Sequence, residues 1–508
     1  MDIFSIMKTI VLGPPGTGKT HTLLNKVEEY LKKTDPDKVG YFAFTRKAAN
    51  EARDRAIKKF NLTEDDLPYF RTLHSLAFRR LGINKQNVMQ KTHYEDLGKK
   101  INIPLDYNDY DDEETGLFTT KSDYLRIINL SKLRNITLDQ QFNLKEYNQD
   151  IEYDKLIIIA NELERYKKEY NLVDFNDMVS KFIKSDISPK FEVVFIDEAQ
   201  DLSLMQWNMA RSIWNKTQDS FIAGDDDQAI FRWAGADVDS FITQKGKLLN
   251  LTKSVRIPRK IHDYAIKIIE RISNRLKKEW EPKDHEGSLQ MHDYFEDVPM
   301  QKGKWLVLTR TRFQLKELEE ILREKGIYYE NKFKKCYEKE IAEAAANWEH
   351  LKQGQFLHYK DIIKISQYMG PAKWEKEKLR GLVKDGFYKI DQLIGGYGLQ
   401  TKATWHECFD NAGASRINYI RSMRRNGEEL NKDPRVMLST IHSVKGGEED
   451  NVVVLPDLTN NTQKSYDRNP DDENRLFYVG CTRTKENLHI IRPKKDYKSF
   501  PMPDIEGV

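Results

Sequence analysis

The 508-residue sequence predicts an α/β protein built on two parallel β-sheets with helices on both faces. Three observations support this fold class. Short strand-like runs alternate with helical stretches. These runs form one group before about residue 250 and a second group after about residue 300. A glycine-rich loop, residues 13–18, joins the first run to a helical stretch. We therefore predict two α/β domains.

The predicted strands are short runs rich in β-branched and aromatic residues. In chain order they are Thr9–Leu12, Val39–Phe44, Glu192–Ile196, Ser220–Ala223, Trp305–Leu308, Val436–Ser439, Val452–Leu455 and Leu488–Ile491. Helical stretches separate many of them, as parallel strands require because each connection must cross back over the sheet. This alternation favours parallel sheets covered by helices on both faces.

Two long segments lack buried strand-like runs. Residues 81–172 are mostly helical in pattern and contain an acidic tract, Asp106 to Glu114, which we interpret as a solvated loop. Residues 336–434 are helical and polar in pattern and are interrupted by a glycine-rich segment near Gly395–Gly398. We predict that each segment is a helical domain inserted into one of the α/β domains.

The composition excludes several classes of protein. The chain has 83 Lys and Arg against 80 Asp and Glu, a formal net charge of +3, and its 39% of hydrophobic residues suffice for several packed cores. No apolar run approaches the roughly 18–20 residues that span a bilayer, so we expect no membrane association. Cys336, Cys408 and Cys481 are odd in number and far apart, which argues against disulfides and a cysteine-bound metal. Since Met1–Met7 lacks signal-peptide character, we predict a cytoplasmic protein.

A phosphate-binding loop lies between the first predicted strand and an amphipathic helix. Its residues match the pattern GxxxxGK[ST] in full: Gly13, Pro14, Pro15, Gly16, Thr17, Gly18, Lys19 and Thr20. Backbone N–H groups of such a loop surround phosphate oxygens, and the helix N-terminus adds partial positive charge. Lys19 would reach the β- and γ-phosphates, and Thr20 would ligate Mg²⁺. The alternative is a chance glycine-rich turn, which would not account for the flanking strand and helix.

Two further predicted strands end in polar residues that suit nucleotide hydrolysis. Asp197 and Glu198 follow the buried run VVFI; Asp197 would hold Mg²⁺ through its water shell, and Glu198 would activate the attacking water as general base. Ligands of parallel sheets bind at the carboxyl ends of the strands. In GDDDQAIFRW, Gln228 can hydrogen-bond the attacking water and the γ-phosphate. Phe231 and Trp233 follow, either as core residues or as aromatics that stack on a base.

With these motifs, the chain resembles the UvrD/Rep/PcrA-like helicases of superfamily 1A. The family's first ATP-binding motifs are similar to GPPGTGKT, IDEAQD and GDDDQAIFRW in this sequence. Stretches that resemble the remaining motifs follow in the family's order: FTRKAA (44–49), TLHS (72–75), DFNDM (174–178), Arg256, TRT (309–311), TIHSVKGGE (440–448) and RLFYVGCTR (475–483). The resemblance covers nearly the whole chain.

The resemblance implies two RecA-like P-loop NTPase domains with ATP bound between them. It assigns residues 1–80 and 173–250 to domain 1A, 81–172 to the helical insertion 1B, 251–335 and 435–508 to domain 2A, and 336–434 to a reduced insertion 2B. ATP and Mg²⁺ are the cofactors that the family implies.

The resemblance also implies roles for individual residues. Arg256 and Arg483 would contact the γ-phosphate as arginine fingers, the alternative being ordinary surface ion pairs. Glu448 would contact the nucleotide sugar or residues near the phosphate site. Phe44 and Trp233 match family aromatics that stack on bases. Side chains that fit contacts to DNA phosphates are Thr45, Thr72, His74, Thr440 and His442, although a lone histidine is more often a structural residue.

The sequence departs from the family pattern at several positions. No Gln precedes Gly13, where the family's Q motif reads adenine, and Val255 stands where a tyrosine usually stacks on the base. We therefore predict relaxed nucleotide choice, with appreciable hydrolysis of GTP or another NTP. Ala234 replaces an arginine associated with DNA contact, so the grip on single strands is predicted to be weaker or redistributed. The reduced 2B region and the short segment after Arg483 suggest a minimal, virus-encoded member that acts in the host cytoplasm.

The sequence as a whole predicts an ATP-dependent DNA helicase and single-stranded DNA translocase, moving 3′ to 5′ by family analogy. Its partners would be single-stranded and tailed duplex DNA, with no membrane, and the sequence is compatible with a monomer. Two alternatives stay open: an RNA helicase or protein-stripping translocase, and an NTP-gated binding module. Glu198, Gln228 and both arginines argue against the binding module, because a pure switch needs no complete hydrolytic set.

Overall fold

The computed structural model describes residues 7–106, 120–147, 150–334 and 338–505. The chain forms two compact units: unit 1 comprises Met1–Gly287 and Asn460–Thr482, and unit 2 comprises Ser288–Thr459 and Arg483–Val508. Most of the predicted acidic loop, from Tyr107 to Glu114, lies outside the described residues, as does Cys336. The boundaries of 1A, 1B, 2A and 2B given above stay predictions.

Strands occur in both units. They are β1 Met7–Leu12, β2 Val39–Ala43, β3 Phe70–Arg71, β4 Val193–Asp197, β5 Asp219–Gly224, β6 Lys247–Asn250, β7 Ser288–His292, β8 Trp305–Thr309, β9 Tyr329–Asn331, β10 Leu357–His358, β11 Phe387–Tyr388, β12 Val436–Thr440, β13 Glu449–Val454 and β14 Thr484–Ile491.

Helices connect most of these strands. They are α1 Lys19–Leu31, α2 Arg46–Phe60, α3 Leu73–Arg80, α4 Lys91–Lys100, α5 Asp123–Leu133, α6 Leu138–Asn143, α7 Tyr153–Glu169, α8 Phe175–Ser185, α9 Leu204–Trp214, α10 Val238–Ile242, α11 Arg259–Ile269, α12 Leu315–Glu324, α13 Glu338–Lys352, α14 Tyr359–Tyr368, α15 Ile390–Gly396, α16 Trp405–Cys408, α17 Ala414–Arg425, α18 Asn460–Arg468 and α19 Pro470–Cys481.

The sheet of unit 1 has six parallel strands in the order β3-β2-β4-β5-β1-β6. In register, Val11 of β1 lies opposite Ala223 of β5. β4 pairs with the other side of β5, where Phe195 of β4 lies opposite Phe221 of β5. The carboxyl ends of β1, β5 and β4 are therefore neighbours at one edge of the sheet, where open α/β sheets bind their ligands.

The sheet of unit 2 also has six parallel strands, in the order β7-β14-β13-β8-β12-β9. Val453 of β13 lies opposite Val307 of β8, and both are fully buried. Two six-stranded parallel sheets confirm the predicted fold class.

The predicted strands form the centres of both six-stranded sheets, whereas the other strands of these two sheets form their edges. β3 and β6 are the edges of the first sheet, and β7 and β9 are the edges of the second. An edge strand has a neighbour on one side only, and β6, with the sequence KLLN, is largely exposed. Such short or polar segments lack the continuous apolar run that marks a buried parallel strand.

Helices cover the unit 1 sheet because its strands are apolar on both faces. Val11, Tyr41 and Phe195 pack against buried side chains of α1 and α2. The residues that alternate with them along the strands, including Phe42 and Ile196, are also buried. Since successive strand residues point to opposite faces, the sheet is covered on both sides.

The described residues between 81 and 172 contain the helices α4 to α7. Their inward faces form a separate core that includes Tyr94, Leu125, Ile159 and Leu163. The apolar run at 156–160 lies within α7, whose buried residues recur every three or four positions. This helical spacing accounts for the absence of a buried-strand pattern there.

The described residues between 336 and 434 are mostly helical, as predicted, but they also bury a sizeable core. Trp348 of α13 and Trp374 are fully buried in the same apolar cluster as Trp305 of β8. β10 and β11 pair as a short antiparallel ladder. Within the described ranges, no helix is both long enough and apolar enough to cross a membrane.

Candidate nucleotide-binding site

The predicted phosphate loop joins β1 to α1. Gly16 and Gly18 adopt φ values of +77° and +82°, in the left-handed region that glycine tolerates. The buried Lys19 side chain folds back over the loop, and its Nζ donates to the carbonyl oxygen of Gly13 at 2.6 Å. A Cβ at Gly13 would lie 2.4 Å from Lys19 Cγ. Glycine at position 13 is therefore required for this lysine conformation.

Thr20 and Asp197 meet at the carboxyl end of the sheet. Thr20 Oγ1 donates to Asp197 Oδ2 at 3.0 Å, and Tyr41 Oη donates to the same oxygen at 2.8 Å. Burial, followed by the neighbouring Glu198, raises the pKa of Asp197. A buried carboxylate beside a threonine hydroxyl is an oxygen donor set that suits Mg²⁺, so Thr20 and Asp197 fit the predicted metal role.

Gln200 links the ends of β4 and β5. Its Nε2 donates to Glu198 Oε2 at 2.6 Å, and its Oε1 accepts the backbone N–H of Asp225 at 3.1 Å. A Cβ at Gly224 would lie 2.6 Å from this Oε1. Glu198 has φ +52°, a left-handed conformation that is uncommon for a residue other than glycine. The amide of Gln200 thus orients the predicted general base.

Gln228 contacts an acidic triad, Asp225 to Asp227, whose three carboxylates share one lysine. Its Nε2 donates to Asp225 Oδ2 at 2.7 Å. Lys278 Nζ lies 2.7 Å from Asp225 Oδ1 and 2.9 Å from Asp227 Oδ2, and it also pairs with Asp226. The three carboxylates are no more than 1% exposed. Lys278 supplies the positive charge that such a group needs, and it outweighs burial to lower the pKa of Asp225.

Two arginines complete this arrangement. Arg275 forms a bidentate ion pair with Asp227, in which Nε and Nη2 donate to the two carboxylate oxygens at 2.8 and 2.6 Å. Arg475 of α19 is fully buried; its Nε donates to the carbonyl oxygen of Asp226 at 2.9 Å, and its Nη2 donates to that of Asn274 at 2.6 Å. The turn that carries Gln228 is therefore held by cations from two separate chain segments.

Residues 254–256 lie directly against the phosphate loop. Ser254 Oγ donates to the carbonyl oxygen of Pro15 at 3.0 Å, and the backbone N–H of Val255 donates to that of Gly16 at 2.9 Å. A Cβ at Gly16 would lie 2.6 Å from the Cβ of Arg256. The structure thus brings Arg256 to the loop that carries Lys19, as an arginine that contacts phosphate would require.

Unit 2 holds the other predicted nucleotide residues. Arg483 is 2% exposed, and its Nη1 donates to the carbonyl oxygen of Gly447 at 3.5 Å. Glu448 lies 3.7 Å from the ammonium of Lys485. The roles of Arg483 and Glu448 at a nucleotide stay predictions.

The predicted base-stacking aromatics differ in exposure. Phe44 is buried and stacks on Phe231, with 5.5 Å between ring centroids and 27° between planes. Trp233 is 44% exposed. Of the two residues for which a core role was considered, Phe231 is therefore a core residue, and Trp233 has a face that a base could cover.

The predicted phosphate-binding threonines begin helices or turns. Thr45 accepts the N–H of Ala48 at 3.1 Å and caps α2, and Thr72 accepts the N–H of Ser75 at 3.2 Å and caps α3. Thr440, in unit 2, donates to Ser443 Oγ at 3.1 Å. Each hydroxyl thus has a structural partner, and DNA contact by these residues stays a prediction.

The predicted DNA-binding histidines lie in separate units. His74 is in α3, and its ring meets Phe175 edge-on at 5.7 Å. Burial, then the charge of Arg46, lowers the pKa of His74 to about 4, so the ring is neutral near pH 7. A neutral imidazole can donate a single hydrogen bond to a phosphate but brings no charge. His442 lies in unit 2, in the turn after β12.

Sequence reasoning missed several residues of the site. Arg475 and Gln200 stand inside quoted motifs, and their places there were a usable signal. Tyr41 lies in a predicted strand but carries no pattern of its own. Lys278 and Arg275 lie in the unremarkable stretch NRLKKEW, and only the folded chain brings them to the acidic triad.

The fold and this loop define the class of P-loop NTPase proteins with RecA-like parallel sheets. Residues 5–249 match the family model of the UvrD/REP helicase N-terminal domain. The resemblance predicted from the motifs is thereby confirmed for the N-terminal part of the chain, which is similar to the UvrD/REP helicases.

Curated relatives agree with this assignment. The ATP-dependent DNA helicase Rep of Buchnera aphidicola subsp. Baizongia pistaciae is 25% identical over 261 residues, covering 48% of this chain and 37% of that protein. The ATP-dependent DNA helicase PcrA of Bacillus subtilis is 24% identical over 361 residues, covering 63% and 48%. PcrA of Staphylococcus aureus Mu50 is 23% identical over 297 residues, covering 53% and 39%. The chain thus spans less than half the length of these relatives.

Proposed function

We propose that this protein is an ATP-dependent DNA helicase and single-stranded DNA translocase that moves 3′ to 5′. The observation that carries the proposal is the 3.0 Å hydrogen bond between Thr20 and Asp197 beside Lys19, in a chain whose N-terminal part matches the UvrD/REP family. The relatives Rep and PcrA bear the name ATP-dependent DNA helicase. The direction of movement rests on the resemblance.

The residues of unit 1 support separate roles for individual side chains in hydrolysis. Lys19 would bind the β- and γ-phosphates, while Thr20 and Asp197 would hold Mg²⁺, which neutralises phosphate charge when bound. Glu198, oriented by Gln200, would take the proton of the attacking water.

The proposal is tested by hydrolysis and strand displacement. We expect single-stranded DNA to stimulate ATP hydrolysis more than RNA does, and duplexes with a 3′ tail to be unwound. Unwinding with only a 5′ tail would reject the direction. Stimulation by RNA alone would favour an RNA helicase, and stimulation without unwinding would favour a protein-stripping translocase. Absence of turnover with any nucleic acid would favour an NTP-gated binding module.

Trp233→Ala should uncouple hydrolysis from unwinding. Trp233 is 44% exposed, and base stacking contributes about 1–3 kcal/mol per base, so its loss should weaken the grip on the strand. We expect unwinding to fall about tenfold or more while hydrolysis without DNA falls much less. The control is Tyr497→Ala, which removes another exposed aromatic outside the motifs. Equal losses of hydrolysis and unwinding in Trp233→Ala would contradict this role.

Nucleotide choice should be relaxed, and Val255→Tyr should narrow it. The Val255 side chain is 79% exposed while its N–H is bonded to Gly16, so a tyrosine there could cover a base without displacing the core. We expect kcat/KM for ATP and GTP to agree within about tenfold in the wild type and to favour ATP more strongly in the variant. Val255→Leu is the control for side-chain size. Exclusive use of ATP by the wild type would contradict the prediction.

A further inference from the structure

A buried tyrosine outside the predicted motifs contacts the predicted metal site. Tyr41 lies in the middle of β2 and is fully buried, and its hydroxyl donates to Asp197 Oδ2 at 2.8 Å. The same oxygen accepts the hydroxyl of Thr20 at 3.0 Å, and Asp197 Oδ1 accepts the backbone N–H of Glu198 at 2.9 Å. The carboxylate of Asp197 is therefore held at both oxygens.

The register of the sheet explains how Tyr41 reaches Asp197. Tyr41 of β2 lies opposite Phe195 of β4. Since residues two apart along a strand share a face, Asp197 lies on the same face as Phe195, two residues closer to the carboxyl end of the sheet. Two residues of a strand span roughly 7 Å, a distance that the long tyrosine side chain covers.

Two neighbouring aromatic rings fix the direction of the Tyr41 side chain. Its ring stacks on Phe70 of β3, with 5.4 Å between ring centroids and 11° between planes. It also stacks on Phe195 of β4, at 6.3 Å and 26°. Both phenylalanines are buried, so close packing leaves the Tyr41 ring few alternative rotamers. The hydroxyl is thus presented to Asp197 by a rigid part of the core.

The stacked rings do not account for the hydroxyl of Tyr41. A phenylalanine at this position would make the same ring contacts, whereas a buried hydroxyl costs free energy unless it has a hydrogen-bond partner. The partner of Tyr41 is the carboxylate of Asp197, the residue predicted to hold Mg²⁺. Because Tyr41 is fully buried, it would act on the cation through Asp197.

We propose that Tyr41 is a positioning residue for the divalent cation that accompanies the nucleotide, an inference that rests on the proposed function. Groups that hydrogen-bond a metal-binding carboxylate fix its orientation, and their removal typically costs about 10–100-fold in metal affinity or activity. Thr20 is itself a predicted ligand, so its hydroxyl has two roles, whereas the hydroxyl of Tyr41 is committed to Asp197.

The test measures how much Mg²⁺ strengthens nucleotide binding in the full chain with Tyr41→Phe. The dissociation constant of a fluorescent, non-hydrolysable ATP analogue is measured by anisotropy, once with EDTA and once with excess Mg²⁺. The ratio of the two constants reports the coupling between cation and nucleotide, independently of hydrolysis. We expect Tyr41→Phe to reduce this ratio about tenfold and to leave the constant in EDTA nearly unchanged, because only the cation depends on the orientation of Asp197.

Tyr30→Phe is the matched control. Tyr30 Oη donates to Asp219 Oδ2 at 2.6 Å, and its ring meets Phe195 and Phe221 edge-on. This variant also removes a hydrogen bond between a tyrosine and a carboxylate of the same sheet. Asp219, however, begins β5 and lies at the opposite end of the sheet from the predicted metal site. We expect the ratio for Tyr30→Phe to equal that of the wild type.

The other outcomes separate this inference from the proposed function. An unchanged ratio in Tyr41→Phe, or binding weakened by the same factor with and without Mg²⁺, would overturn the positioning role and leave the proposed function intact. An equal fall in Tyr30→Phe would also overturn it. A wild type that binds the analogue no better with Mg²⁺ than with EDTA would reject both. If Tyr41→Phe does not fold, as judged by circular dichroism, Tyr41→Met tests the same expectation, since methionine fills irregular gaps in a core.

Discussion

Lys19→Ala should abolish nucleic-acid-stimulated hydrolysis, with kcat falling by about 100-fold or more. The lysine ammonium would stabilise charge on the transferring phosphoryl group, and no other described cation lies on the loop itself. The side chain is buried over the loop and bonded to the carbonyl oxygen of Gly13, so it is held in place before the nucleotide binds. Steady-state phosphate release measures kcat, and a fluorescent ATP analogue measures binding separately.

The matched control is Lys26→Ala on the same helix. Lys26 is about one-third exposed and pairs with Glu29 at the surface, so its loss should leave hydrolysis close to the wild-type rate. A Lys19→Ala protein that folds normally and hydrolyses ATP within about threefold of wild type would show that the loop does not act on the phosphates.

Lys278→Met should lower the free energy of unfolding more than the other substitutions do. The substitution leaves Asp225, Asp226 and Asp227 buried without the cation that contacts all three. Breaking a buried ion pair by removing one partner costs about 3–5 kcal/mol. We expect a lower urea midpoint and, because Asp225 also holds Gln228, a fall in kcat that exceeds any change in KM.

The pH dependence separates this charge effect from lost packing. Lys278 opposes the effect of burial on the pKa values of Asp225 and Asp226, so without it burial should raise both. A carboxyl group whose pKa is raised in the folded state loses stability as the pH rises from its unfolded-state pKa to the raised value. The difference in free energy of unfolding between wild type and Lys278→Met should therefore shrink as the pH falls from about 8 to about 5, because protonation removes the buried charge. Lys277→Met is the control, since Lys277 is the exposed neighbour. A deficit that is constant with pH would contradict the electrostatic explanation.

The centres of both sheets could be predicted because their strands are buried on both faces. Every predicted strand, from Thr9–Leu12 to Leu488–Ile491, overlaps an observed central strand. The edge strands β3, β6, β7 and β9 escaped prediction because a strand with one neighbour needs no continuous apolar run. The core of residues 336–434 was underestimated for a related reason: Trp348 and Trp374 are scattered among polar residues in the sequence.

The sequence by itself determined those features of the fold and candidate site that depend on residues close together in the chain. A glycine-rich loop between a strand and a helix predicts a phosphate site within eight residues, and the residues Asp197 and Gln228, at or shortly after the ends of parallel strands, are predicted to meet it. Only the tertiary structure decided which distant cations complete these groups. Lys278 reaches the acidic triad, and Arg475 reaches the turn that carries Gln228, through contacts between segments that are far apart in the chain. The strength of an electrostatic interaction depends on the distance between the two charges in space, and no local sequence pattern encodes that distance.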